Sequence, residues 1–413
     1  MVLVGIGLLV GIGWAVSQGA RPPRVIVMAT GPAGGAYAAY GARYREILAR
    51  HGLDVRLRPT VGDVENLKLL RDPRSGVVAA LLQAGTTTAQ ESPELVSLGT
   101  VALQPVWIFR RGEPPAERVF AGQRISIGPE GSGTRALMMR LLRLLGGGAG
   151  AWTLLDLPPS VAAEELQAGR IDGMALVAGW DSPIVRRLLV APGVSLVGFK
   201  RADAYVALEP ILQKVVLPEG VGDLAQDRPP RDVSLLATES SLVVRDELNT
   251  AVKYLLLDAA AEIHGGPGIF HGAGRFPAAE AIDLPLGEEA RRFHKTGQPF
   301  FHRHLPYWLA VPVERLLLVL VPFVGLAVPL LRMAPELYRG VVQRRFVRLY
   351  GELKMIESEL EARGPGSDMA DLKRRASDLE QRADHLQVPL SFSRWLYTLK
   401  QHIRLVRERL GSS

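Results

Sequence analysis

The chain has 413 residues, 49 Lys+Arg against 42 Asp+Glu, and no cysteine. Hydrophobic residues at 47% and charged residues at 22% exclude wholesale disorder. The missing thiols exclude disulfides, thiolate nucleophiles, iron–sulfur clusters and cysteine-ligated zinc. Of the net charge of +7, residues 332–413 carry +5, from 16 Lys/Arg against 11 Asp/Glu, so the large body is nearly neutral and no nucleic-acid partner is expected.

Met1–Val16 is uninterrupted apolar or small sequence, marginal in length for a membrane span. It reads as a membrane anchor or as the apolar part of a cleaved signal, with Ala15-Val16-Ser17 as a cleavage site. Gly5, Gly7 and Gly11 lack the strand–turn–helix setting of a dinucleotide fingerprint.

From Arg24 strands and helices alternate. Strands are expected at 25–30, 54–60 and 76–84, with helices at 37–50 and 64–70 between them, a βαβαβ pattern that implies a parallel sheet. An apolar stretch, 95–111, leads into a second cycle. There, strands are expected at 124–128, 152–157 and 171–179, with helices at 135–145 and 162–168. After a polar, proline-rich stretch at 218–232, DVSLLATESSLVVRDEL returns to strand character and 249–264 reads as a helix. A doubled βαβ pattern with a late return strand predicts two lobes joined by two crossovers, with a ligand cleft at strand C-termini and helix N-termini.

Two glycine-rich strand-to-helix loops are the candidate binding elements. Thr30–Tyr37 (TGPAGGAY) offers free N–H groups and the positive end of a helix to an anion, or is a plain turn. Gly128–Arg135 (GPEGSGTR) offers Ser132 and Thr134 as helix caps or ligand donors, and Arg135 as a carboxylate clamp. Facing each other, one per lobe, they could hold an anion from both sides. His294, His302 and His304 have no carboxylate pattern nearby, so no metal or other cofactor is expected. Without a paired acid and base, an enzyme is not expected either.

The body resembles the TAXI-type solute receptors, the substrate-binding component of a TRAP transporter family. The resemblance is carried by GPAGGAY, the late-strand Gln83, RISIGPEGSGTRALMMRLL, LQAGRIDGMALVAGWDSPIVRRLL and DVSLLATESSLVVRDEL, and covers roughly residues 24–285. It implies an α/β, two-lobe periplasmic-binding-protein type II fold that holds a small anionic solute, a glutamate- or 2-oxoglutarate-like acid or an amino acid. By carry-over, the ligand-binding residues are Thr30, Gly34, Tyr37, Gln83, Ser132, Gly133, Thr134 and Trp180. Gly34 and Gly133 would expose backbone donors, Ser132 and Thr134 would donate hydroxyls, Tyr37 would wall the pocket and Trp180 would close it. The chain departs from the family pattern at Ala36, where a hydroxyl is usual, and at Asp181, which could repel a second carboxylate or recognise an amine.

The expected organisation is an N-terminal segment at 1–17, lobe 1 from 24–109 and 233–305, lobe 2 from 110–232, a transmembrane helix at 308–331 and a helical tail at 332–413. Leu316–Leu331 carries no charge, Tyr307 and Trp308 suit an interfacial belt, and Arg332, Arg339, Arg344, Arg345 and Arg348 follow it. That asymmetry places the body in the periplasm, the tail in the cytoplasm and the chain in a bacterial inner membrane. In the tail, Val341, Phe346, Leu349, Leu353, Ile356 and Leu360 form an apolar stripe suited to internal packing. Helices are expected at 337–363, at 369–386 with Ser367 or Asp368 as cap, and after Ser391 or Ser393. The partners implied are the membrane and TRAP permease subunits. The alternative is a membrane-anchored sensor signalling through the tail.

Overall fold

Short runs rich in β-branched and leucine residues become strands wherever glycine, proline or polar turns bound them. The computed structural model describes residues 22–112, 123–145, 152–280, 282–362, 369–388 and 390–412, with some side chains between 302 and 339 described only in part. The N-terminal segment at 1–17 therefore lies outside the described residues. Two compact units result, residues 1–316 and 317–413.

In the first unit, β1 (Val25–Ala29) pairs in parallel with β2 (Asp54–Arg58) and β3 (Val77–Gln83). Helices α1 (Ala36–Arg50) and α2 (Asp63–Arg71) make the crossovers. Nearly every position of β3 is buried, as in a strand covered on both faces. The core of this lobe is built on Met28, Tyr44, Leu48, Leu53 and Leu81, with the late helix α7 (Thr250–His264) packed against them.

The second lobe repeats the plan. β5 (Arg124–Ser126) pairs in parallel with β6 (Thr153–Leu155) and β7 (Gly173–Val177). α3 (Gly133–Leu144), α4 (Pro159–Gln167) and α5 (Pro183–Leu189) belong to this lobe. Trp107 and Phe109 anchor one of its apolar clusters, and the Trp107 indole donates to the Ala178 carbonyl at 2.9 Å. β8 (Val194–Leu196), α6 (Ala202–Leu208) and β9 (Leu212–Leu217) complete it. The expected strand and helix sequence did not include α5, β8, α6 or β9. They are three to seven residues long, too short for periodicity to declare them.

Two long strands join the lobes. β4 (Leu95–Arg111) is the apolar stretch that the sequence left unassigned, and β10 (Val233–Arg245) is the expected return strand. They pair antiparallel with each other over Leu95–Pro105, after which β4 continues alongside β7. β10 reaches β3 with Ser240–Val244 and β9 with Val233–Thr238. The result is one ten-stranded sheet in the order β2-β1-β3-β10-β4-β7-β5-β6, with β8 on β4 and β9 on β10. Glycine between Leu98 and Thr100 meets a local need: Gly99 has φ of 127°, and a side chain there would strike the Ala278 carbonyl.

After α8 (Glu288–Thr296) and α9 (Phe300–His304), helix α10 runs from Tyr307 to Ala362. The expected break between a helix at 308–331 and one at 337–363 is absent, and helix continues through Pro322 and Pro329. Among the described residues no helix is long and apolar enough to cross a membrane, and the side chains of 316–331 are only partly among them.

The second unit packs the rest of α10 with α11 (Ala370–Asp384) and α12 (Ser393–Ser412). Phe346, Leu349, Leu353 and Ile356 of the expected stripe are buried there. Val341 is 51% exposed and its neighbour Val342 takes the inward position. The caps expected at Ser367 or Asp368 lie outside the described residues. Arg375 pairs with Glu359 at 2.9 Å, Lys400 with Asp384 at 2.7 Å, and Arg382 and Arg407 with Glu352 and Glu380. Much of the tail's basic charge is thus answered inside its own bundle.

Candidate functional site

A parallel sheet offers a ligand crevice where successive connections leave its central strand in opposite directions. Both lobes have such a point: β1 between β2 and β3, and β5 between β6 and β7. The loops that leave β1 and β5 are the two glycine-rich loops, and both line one cavity of about 110 Å³ between the lobes. The loop before α2 joins them, and the four helices α1, α2, α3 and α4 each turn an N-terminus toward the cavity. Each such end carries unpaired N–H groups and partial positive charge.

Six of the eight expected residues line this cavity: Gly34, Tyr37, Gln83, Ser132, Gly133 and Thr134. Thr30 does not. It is buried beneath the first loop, where its hydroxyl donates to the Arg58 carbonyl at 3.4 Å and its own carbonyl accepts from Thr60 at 2.7 Å. Trp180 does not line the cavity either. Its ring packs on Trp107 at 6.2 Å between centroids, with the Arg186 guanidinium 4.8 Å above it. The indole was expected to close the pocket, but the apolar cluster of lobe 2 holds it instead. Asp181 accepts from Tyr40 at 3.4 Å, away from the lining.

The hydroxyls of the second loop have structural duties. Ser132 caps α3, accepting from the Arg135 N–H at 3.2 Å, and donates to the Pro129 carbonyl at 2.8 Å. Thr134 accepts from the Val177 N–H at 3.1 Å. Arg135 is no clamp, because its guanidinium is engaged by Asp156 and the Gly128 carbonyl.

Asp63, the first residue of α2, was overlooked in the sequence and is the central group of the site. Its Oδ1 accepts from the Gln83 backbone N–H at 2.7 Å and from the Tyr37 hydroxyl at 3.1 Å. Gly133, from the other lobe, lies against its Oδ2. Burial raises its carboxyl to about 6, against the lowering influence of these donors. Tyr37 has one hydroxyl hydrogen; donating it to Asp63, it accepts from Ser240, 2.8 Å away on β10. Burial, and then the Asp63 charge, push the Tyr37 phenol well above its ordinary value. The signal in the sequence was Gly62-Asp63 ahead of an apolar-periodic run, the pattern of a helix start with a carboxylate in its first turn.

The rest of the lining is neutral. Among the described lining residues there is no Lys, Arg or His. Gln104, on β4, is 3% exposed and its Nε2 has no hydrogen-bond partner, though the amide lies near enough to the Tyr37 hydroxyl to favour its ionised form. Among the described residues no group of three His, Asp or Glu could hold a metal ion.

The lobes touch at the cavity's edge. The Val64 N–H donates to the Gly131 carbonyl at 3.3 Å. Gly62 has φ of 140°, and a Cβ there would lie 3.1 Å from the Ser132 Cα, so only glycine lets the two loops come this close.

Several solved structures are similar. The periplasmic aliphatic sulphonate binding protein SsuA from Escherichia coli is 18% identical, with 58% of this chain and 72% of that one covered and a TM-score of 0.37. A putative methionine-binding lipoprotein from Bacillus subtilis is 13% identical, with 59% and 96% covered and a TM-score of 0.35. The GluR0 ligand-binding core from Nostoc punctiforme, in complex with L-glutamate, is 13% identical, with 58% and 92% covered and a TM-score of 0.35. Likenesses this weak carry no argument about the ligand. A search of curated proteins finds no match. The sequence profile of the NMT1-like family matches residues 28–295, from β1 into α8 and through both glycine-rich loops, and by that match over more than half its length this chain belongs to the NMT1-like family.

Proposed function

We propose that the first unit is an extracytoplasmic receptor that binds a small polar solute between its lobes and passes it to membrane permease subunits. One observation carries this reading: the loops after the central strands of both lobes line a single cavity. A solute touching both loops binds the closed lobes better than the open ones and shifts the population toward closure. No bond need be made or broken. In its finer form the permease is of TRAP type and the solute a small acid, as the resemblance of GPAGGAY and RISIGPEGSGTRALMMRLL implies. The apolar run 316–331 holds the receptor in the inner membrane, the body outside and the tail in the cytoplasm. In support, Leu316, Leu320, Val321, Phe323, Val324 and Val328 are all exposed, an apolar surface that water disfavours.

The test is a thermal-shift screen of the full chain in detergent against amino acids, small acids and their amides. A ligand that binds only the folded state raises the midpoint, by about 2.7 kcal/mol of stability at a hundredfold excess over Kd. If no small solute in the panel raises the midpoint, the receptor reading fails.

A second reading, a ligand sensor, is favoured by α10, since one helix has its first turns in the first unit and the rest in the second. Truncation after Arg332 separates the two readings: uptake that survives truncation is delivery alone.

A further inference from the structure

We propose that Asp63 is a built-in ligand: its carboxyl fills the seat between the two glycine-rich loops, holds the lobes together without solute, and turns the remaining cavity against carboxylate solutes. The inference rests on the receptor reading above in its coarser form, a small polar solute between the lobes, and names an uncharged or amine-bearing solute in place of the small acid.

Three facts converge on this group. First, the carboxyl is held in one lobe and meets the other: Gln83 N–H and Tyr37 O–H donate to Oδ1, and Oδ2 stands against Gly133 of the second lobe. Such a convergence of backbone and hydroxyl donors is how a protein receives a free carboxylate. Second, the seat is tailored to this side chain. A Cβ on Gly133 would stand 2.1 Å from Asp63 Oδ2 and 2.7 Å from Gln83 Oε1, so the second lobe approaches Asp63 only because residue 133 has no side chain. Third, no cation in the described lining balances a second negative charge. A solute carboxylate would find the Gln83 and Tyr37 donors taken and would sit beside Asp63 in a cavity of low dielectric, where like charges repel strongly. Gln104, in the lining with its Nε2 buried and without a hydrogen-bond partner, suits a carbonyl or hydroxyl oxygen.

The chain has no cysteine, so a clean distance measurement is available. Exposed Arg45 on α1 and Arg187 on α5 are changed to Cys and spin-labelled in the full chain, and the inter-lobe distance is read by pulsed electron resonance. The parent shows one short, narrow distance that acetate leaves unchanged. Asp63→Ala, which orphans the Gln83 N–H and Tyr37 O–H donors, shows a longer and broader distribution, and acetate at about 10 mM restores the short one by occupying the empty seat. Asp63→Asn keeps the volume but replaces one carboxylate oxygen with an N–H donor and removes the charge, and opens the lobes in the same way should the alanine variant not fold. Propionate and propionamide are then titrated calorimetrically: Asp63→Ala gains at least about tenfold in propionate affinity over the parent, or about 1.4 kcal/mol.

An unchanged distance in both Asp63 variants overturns the tether. Opening that acetate does not reverse overturns the seat. A parent that binds propionate as tightly as Asp63→Ala overturns the selectivity. Failure of the receptor reading is separate: no solute would stabilise the parent, while opening and acetate closure would persist.

Discussion

Asp63 makes a prediction about pH at the scale of one residue. Its carboxyl is raised by burial to about 6, from an ordinary value of 3.8. Between those values the native protein holds a proton that the unfolded chain has released. Stability from this group is therefore full below about 4, falls as pH rises to about 6, and is flat above. The whole loss is about 3 kcal/mol at roughly 1.4 per pH step. Asp63→Asn cannot titrate, so the difference between parent and variant in urea midpoint is expected to slope between pH 4 and 6 and to be level from 6 to 8. A level difference throughout would mean that the carboxyl is not buried in solution. His264 acts in the opposite direction: burial lowers it to about 3, so stability is present above its ordinary 6.5 and is lost as pH falls toward 3. Taking the difference with the Asn variant cancels it. Neither group was readable from residue type, because a pKa is set by neighbours that come from distant parts of the chain. Tyr37 and Ser240, for example, are 203 positions apart.

Among elements, the helix N-termini are where local sequence and site chemistry meet. Ser132 caps α3 and Asn249 caps α7, each accepting from a backbone N–H in the first turn. Ser132→Ala is expected to cost about 1 kcal/mol of stability through the lost cap. Because its hydroxyl already donates to the Pro129 carbonyl, the same variant should leave solute affinity within about twofold, well under the 1.4 kcal/mol of a tenfold change. Calorimetry with the best solute from the screen checks it, and a tenfold loss would return Ser132 to the ligand shell. Both glycine-rich loops were legible because a strand, a turn of small residues and a helix follow one another within a dozen positions. β4 was not, since its 17 residues show neither alternation nor a turn. Buried on both faces between β10 and β7, it has no polar face to mark a period.

At the level of the molecule, two units with separate cores imply two stabilities. Phe346 is 1% exposed in the cluster that joins α10, α11 and α12. Phe346→Ala should destabilise that bundle by about 3–5 kcal/mol. The solute-induced midpoint shift of the first unit should persist, and scanning calorimetry in the presence and absence of solute distinguishes the two transitions. Loss of the shift would tie the tail to the receptor and favour the sensor reading. The ion pairs between the bundle helices are mostly exposed and contribute little each, so the buried apolar seam decides its stability.

What the sequence by itself determined was whatever periodicity and local chemistry express: two βαβ cycles, two glycine-rich loops, an uncharged run at 316–331, and a tail whose apolar stripe repeats at helix spacing. Those features are short-range, and each is written in neighbouring residues. Only the tertiary structure decided which groups share the cavity. It brought Asp63, Gln83, Gln104 and Gly133 together, withdrew Thr30 and Trp180 into the packing, and engaged Arg135 with Asp156. The reason is geometric: the site is assembled where the central strands of two lobes end, from segments 20 to 70 positions apart, and no local pattern records which of them will meet.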